Sequence, residues 1–172
     1  MQRILATLVL IMFIVGGYVL ASSHQHNESD PEETQQLLDE AVFTSLDGAD
    51  VSLSDYRGKT VLIDIWETWC TPCLQSFPTL QDLMDDYPDD FLVLAVSPGY
   101  MDSHDDVVEF VQHNDYDFKF VFGEQLAEQL NVQSIPYKVY VGPSGEYLET
   151  SLGTRGPEGD YEKTRKIIEN NR

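Results

Sequence analysis

Cysteine is scarce in this 172-residue chain: it has two, three positions apart. A small secreted scaffold held by disulfides carries four or more, spread along its length, so that class is excluded. Two cysteines this close cannot staple distant parts of a fold, which leaves reactive chemistry or metal binding. Positive charge is scarce as well. Ten Lys and Arg stand against 30 Asp and Glu, a formal net charge of −20. Nucleic acid and an anionic membrane surface would both repel such a chain. The acids recur in short clusters rather than in one tail, the pattern of a well-hydrated surface. There is neither an internal repeat nor a low-complexity stretch. What is present is enough apolar material for a core, 42% of the residues.

The N-terminus carries one charge, at Arg3, and residues 4–21 form an almost unbroken apolar run before the abruptly polar Ser22-Ser23-His24-Gln25-His26-Asn27-Glu28. This pattern predicts an export signal over residues 1–21. Val19-Leu20-Ala21 offers the small residues of a cleavage site, while the run's length approaches the ~17–25 residues that span a bilayer. A removed signal peptide and a retained membrane anchor both fit. Either places the folded part outside the cytoplasmic membrane, in a periplasm or on the membrane's outer face. No Cys directly follows the run to take a lipid.

Residues 22–40 read as a polar, acidic tether ending in a short helical piece. The folded domain is expected over residues 41–172. Val42-Phe43-Thr44 and Val51-Ser52-Leu53 flank the turn signal Asp47-Gly48 and predict a hairpin. Val61-Leu62-Ile63-Asp64-Ile65-Trp66 and Phe91-Leu92-Val93-Leu94-Ala95-Val96 read as strands buried on both faces. Between them, residues 71–86 carry Leu74, Phe77, Leu80, Leu83 and Met84 at helical spacing. Further on come a helix over residues 104–113 capped by Ser103, a strand at 118–122 and a short helix at 124–130. A strand at 137–141, a turn at Gly142-Pro143-Ser144-Gly145, a strand at 146–152 and a final helix at 158–170 complete the chain. Alternation first and a hairpin plus helix last predict an α/β fold with a mixed central sheet flanked by helices.

Trp69-Cys70-Thr71-Pro72-Cys73 falls where the first buried strand meets the first long helix. Free N–H groups and the positive dipole end of that helix would stabilise a thiolate at Cys70. A three-residue step brings the two sulfurs to one side, and Pro72 suits a first helical turn. Cys70 is therefore expected as the exposed nucleophile and Cys73 as the more buried resolving thiol. The pair would exchange disulfides through a mixed-disulfide intermediate and needs no cofactor. A structural zinc would require two more ligands, and of the four histidines His24 and His26 lie in the tether. Asp102-Ser103-His104-Asp105-Asp106 can be read as a metal site or as a helix start rich in acids; no metal is expected there. Asp64, within a buried strand, is costly unless neutral or paired, so its pKa should be raised.

The run from Val61 to Cys73, with Pro78 five residues beyond and Ser134-Ile135-Pro136 before the late strand, resembles the thioredoxins. Over residues 41–172 the chain is similar to their extracytoplasmic branch, the TlpA-, ResA- and CcmG-like proteins, with residues 98–122 resembling that branch's helix-and-strand insertion. The resemblance implies a thioredoxin fold and a cis bond before Pro136. It also implies a substrate groove formed by Trp69, Thr71, Pro72, Ile135 and Pro136. Asp64 matches the aspartate that lies beneath the second cysteine and handles its proton, which makes it the general base for Cys73. The implied activity is reduction of protein disulfides, apocytochrome c among them, with electrons from a membrane donor of the CcdA or DsbD type.

Three positions depart from the family's pattern. Ser76 stands where the branch usually has Glu, and Tyr137 where Thr is commoner after the cis-proline. Glu67 replaces a small residue. It either brings an acid toward the cysteines from another direction, raising the Cys70 pKa, or faces solvent at the strand's end. Thr71-Pro72 supplies no His or Lys to favour the thiolate strongly, which inclines the reading to a reductant. The alternative is a thioredoxin-fold binding or chaperone module with a static disulfide.

Overall fold

The computed structural model describes residues 30–172. The export segment and the tether up to residue 29 lie outside the described residues. Pro31–Arg172 forms one compact unit.

Apolar runs and helical periodicity place most elements where the sequence puts them. Helix α1 is Pro31–Glu40, followed by β1 (Val42–Ser45), β2 (Asp50–Ser52) and a 3₁₀ turn at Leu53–Tyr56. Next come β3 (Thr60–Ile65), α2 (Thr71–Asp86), β4 (Phe91–Ser97), α3 (His104–His113) and β5 (Lys119–Phe122). The chain ends with α4 (Glu124–Gln129), β6 (Tyr137–Val141), β7 (Tyr147–Leu152) and α5 (Pro157–Asn171). The strands make one seven-stranded sheet in the order β2-β1-β5-β4-β3-β6-β7. Strands β3, β4 and β5 are parallel, whereas β1, β6 and β7 run antiparallel to their neighbours. This is the mixed sheet expected.

Residues alternate across β3, and the alternation sorts the core into two halves. Val61, Ile63 and Ile65 join Leu94, Val96, Val139 and the residues of α1 and α4 on one face. Leu62 and Trp66 join Cys73, Phe77, Leu80 and Leu83 of α2 and Ile167 and Ile168 of α5 on the other. Asp64 sits between Leu62 and Trp66 in the alternation, so it projects to the α2 and α5 side. The α3–β5 insertion packs there too. Trp66 lies 4.8 Å, centroid to centroid, from Phe110 and 5.0 Å from Phe77, and Phe77 lies 5.1 Å from Phe118. Edge-on and tilted ring contacts of this kind hold the insertion against the residues that lead into the cysteine pair.

The tether expected over residues 22–40 is corrected at its end. Residues 31–40 are a ten-residue helix belonging to the domain. Leu38 and Thr34 are each 1% exposed. The Gln35 side chain donates to Gly145 O (3.1 Å) and accepts from Tyr147 N (2.6 Å), tying α1 to the β6–β7 turn. Leu38→Ala is accordingly expected to lower stability by about 3 kcal/mol. A loss under ~1 kcal/mol in denaturant unfolding would put α1 outside the cooperative unit. Among the described residues no helix is long and apolar enough to cross a membrane.

Candidate active site

Strand β3 and helix α2 meet at a tight corner. Cys70 N donates to Glu67 O (3.0 Å), closing a turn over residues 67–70, and Leu74 N donates to Cys70 O (3.1 Å), opening the helix. Cys70 is the N-cap of α2, with its Sγ accepting from Cys73 N at 3.3 Å. The Cys73 amide of the first helical turn thus points at the sulfur that must carry negative charge. Pro72 lies in that first turn, where no N–H is needed. Cys70 and Cys73 are joined as a disulfide, their Cα atoms 5.3 Å apart.

Cys70 is less open than the sequence suggested. It is 2% exposed, against 0% for Cys73. The two differ in what lies in front of them. Cys70 lines a cleft of about 460 Å³ with Trp69, Thr71 and Pro72 from its own corner, and Gln133, Ser134 and Ile135 from the loop opposite. Tyr100 closes a third side. Cys73 lines none of it. A disulfide entering the cleft therefore meets the Cys70 sulfur first.

The Ile135–Pro136 bond is cis. Ile135 faces the cleft, whereas Pro136 is buried beside it and its carbonyl accepts from Gly153 N (2.8 Å). Tyr137 begins β6, opposite Ile65 and Leu152. The loop before Pro136 thus stands across the cleft from the helix start.

Asp64 lies behind the pair, on the sheet face that Cys73 packs against. It is fully buried, and neither carboxylate oxygen has a hydrogen-bond partner from the protein. Burial pushes its pKa from the ordinary 3.8 up to about 7; nearby Lys138 opposes the rise and Asp160 adds to it. Lys138 is the cross-strand partner of Asp64 in the β3–β6 register. Its Nζ, 2% exposed, pairs with Asp160 at 3.2 Å. Burial alone would raise the Asp160 carboxyl. Hydrogen bonds from Thr154 Oγ1 (2.6 Å) and Arg155 N (2.9 Å), together with Lys138, hold it below the usual range instead.

Glu67 departs from one of the two sequence expectations. It does not face solvent: it is fully buried, and its oxygens are engaged by N–H groups. Oε2 accepts from Trp69 Nε1 (2.6 Å), and Oε1 from Met101 N (3.0 Å) and Asp102 N (3.5 Å). Asp102 reciprocates, accepting from Thr68 N (2.5 Å) and Thr68 Oγ1 (2.7 Å). The acids at 102–106 resolve into this clamp and a capping box in which Ser103 and Asp106 start α3. Among the described residues no group of three or more His, Cys, Asp or Glu could hold a metal ion. Ser76, at the position of the missing Glu, donates to Cys73 O (2.8 Å) and brings no acid.

Sequence reasoning missed Tyr100, Gln133, Lys138 and Asp160. A signal for Tyr100 existed: parallel β3 and β4 end on the same edge of the sheet, so the loop after β4 had to flank the loop after β3. A lysine in the apolar run Tyr137-Lys138-Val139-Tyr140-Val141 was the signal for a buried partner.

Comparison with known proteins agrees with this geometry. The AhpC/TSA family matches residues 35–146. The thioredoxin-like protein YneN of Bacillus subtilis is 31% identical over 157 residues, 90% of this chain and 92% of its own. The thiol–disulfide oxidoreductase ResA of Bacillus cereus is 28% identical, covering 92% and 94% respectively. The crystal structure of the exposed lipoprotein thioredoxin of Streptococcus pneumoniae superposes with a TM-score of 0.61 at 27% identity, over 73% of this chain and 97% of that one. With its fold, its cysteine corner and these relatives in agreement, the chain belongs to the AhpC/TSA family and is a thiol–disulfide oxidoreductase of thioredoxin fold.

Proposed function

We propose that this oxidoreductase works outside the cytoplasm as a reductant of protein disulfides. The observation that carries the reading is the Cys70–Cys73 pair at the start of α2, one sulfur at a cleft and the other behind it. In the reduced enzyme the Cys70 thiolate attacks one sulfur of a substrate disulfide. A Cys70–substrate bond forms and the substrate's other sulfur leaves as a thiolate, which takes a proton from solvent. Asp64 takes the proton of Cys73, and the Cys73 thiolate attacks Cys70 Sγ, expelling the second substrate sulfur as a thiolate. The substrate gains two electrons and the enzyme ends as the disulfide seen here.

Return to the dithiol requires a donor, for which a membrane dithiol protein of the CcdA or DsbD kind is the expected source. Apocytochrome c, whose haem-site cysteines must be reduced before attachment, is the expected substrate. Trp69, Thr71, Pro72, Ile135 and Pro136 would receive its backbone. Export rests on residues 1–21, and the high acidity suits a solvated extracytoplasmic surface.

The test is an equilibrium titration against glutathione, together with reduction of a protein disulfide by the dithiol form. A reductant should show a midpoint more negative than about −200 mV, and Cys70→Ser should abolish turnover. A midpoint near the ~−120 mV of a strong oxidant would reverse the direction of flow. A Cys70–Cys73 disulfide that neither reduced glutathione nor dithiothreitol opens would be a static one.

A further inference from the structure

Large apolar side chains are mostly buried in this domain, yet three stand open around one place. Trp69 is 52% exposed, Tyr100 47% and Met101 75%. Trp69 and Tyr100 line the cleft in front of Cys70, and Met101 follows Tyr100 in the chain. Their positions are fixed from below by the buried Glu67 carboxylate, which holds the Trp69 indole with one oxygen and the Met101 amide with the other. Asp102 bonds back to Thr68. Two loops that would otherwise move separately are thus locked as one rim. Holding an exposed indole and an exposed phenol rigidly against water brings the fold no burial; it presents a preformed apolar surface beside a reactive sulfur.

We infer that the Trp69–Tyr100 rim, set by Glu67, is a specificity device that selects protein segments with a large apolar side chain next to the cysteine under attack and a basic residue close by. Resting on the oxidoreductase reading, the inference names its substrate class. The occupant is a polypeptide because only an extended segment can present a sulfur to Cys70 and a side chain to the rim together. Its charge follows from the surroundings. No Lys or Arg lines the cleft. Burial, with Glu128, Glu67 and Glu124 nearby, keeps the Tyr100 phenol protonated beyond its ordinary range. A carboxylate next to the bound cysteine would be repelled; an ammonium would be drawn in.

The experiment uses dithiol enzyme and synthetic peptides bearing one cysteine as a mixed disulfide with glutathione. Phe beside the cysteine should raise kcat/KM about tenfold over Ser. Lys two residues away should exceed Glu by about threefold at low salt, a difference that shrinks as salt is added. Tyr100→Ala should reduce the Phe/Ser ratio to about twofold, while Tyr100→Phe keeps it. Glu67→Ala and Glu67→Gln should both lower the ratio and shift the Trp69 fluorescence, because the Gln amide has one acceptor oxygen where the carboxylate offers one to each N–H partner. Equal rates for the Phe and Ser peptides would overturn the inference, as would a Tyr100→Ala enzyme with the wild-type ratio. Exchange with glutathione disulfide that continues without peptide discrimination leaves the oxidoreductase reading standing. Loss of that exchange too would end both.

Discussion

Replacing Cys73 by serine is expected to stall the enzyme on its substrate. Serine keeps the backbone N–H that donates to Cys70 Sγ, so the helix start and its pull on the Cys70 thiolate survive. The attack on an incoming disulfide proceeds, and a covalent adduct forms. Only the second step fails. Within the native enzyme the resolving sulfur sits one helical turn away, at an effective concentration far above that of millimolar thiols in solution. Turnover of a protein disulfide should fall at least about a thousandfold, with a one-to-one adduct through Cys70 visible by mass spectrometry. The double variant lacking both sulfurs should trap nothing. Turnover that persists in Cys73→Ser, or adducts that do not involve Cys70, would refute the assignment of the two cysteines.

A second large effect concerns Asp64 and has a definite sign. In the unfolded chain this carboxyl titrates near 3.8; in the fold burial moves it to about 7. Below pH ~4 both states hold the proton and the group is neutral in each. As pH rises toward 7 the unfolded state ionises while the folded state keeps its proton. The stability associated with Asp64 is therefore fully present below the unfolded pKa and is lost as pH climbs through the folded one. The displacement of a little over three pH units corresponds to a loss of about 4 kcal/mol. Asp64→Asn has no proton to lose. It should be more stable than the native chain at pH 8, by an amount approaching that figure, and the gap should close by pH 4. The same variant should release mixed disulfide about a hundredfold more slowly while forming it at the native rate, because Cys70 is served by helix amides rather than by Asp64. Denaturant unfolding at pH 5 and pH 8 and stopped-flow measurement of the two half-steps separate these effects. Equal pH dependence in the two proteins would mean that Asp64 is not held protonated; unchanged release would remove it from the reaction.

Much of this arrangement was legible from residue order. The buried strands announced themselves as apolar runs, α2 by its periodicity, and the corner by a proline and two cysteines at a strand–helix junction. Helix α1 did not. Its only apolar residues are Leu37 and Leu38 among Gln, Glu and Asp, a composition that reads as solvated chain, and its place depends on Gln35 meeting a turn 110 residues later. Tertiary packing overrode local composition there. Glu67 was ambiguous for a similar reason: its partners at 101 and 102 approach only because β3 and β4 run parallel and end together. The helix over residues 104–113 could be placed, but not the contact of its Phe110 with Trp66. Lys138 could be placed on a strand, but the partner that makes its burial tolerable, Asp160, belongs to the next helix.

The Lys138–Asp160 ion pair beside Asp64 has one more consequence. With the Asp64 proton in place, the three groups sum to zero and the interior behind the disulfide is electroneutral. Should that proton go, a single uncompensated negative charge resides in a fully buried position. On the proposed route this charge passes from carboxylate to sulfur and exits with the departing substrate thiolate. When a donor reopens the disulfide, Cys73 leaves as a thiolate, takes the proton back from Asp64 and returns the charge to the interior, so one buried proton shuttles with each pair of electrons.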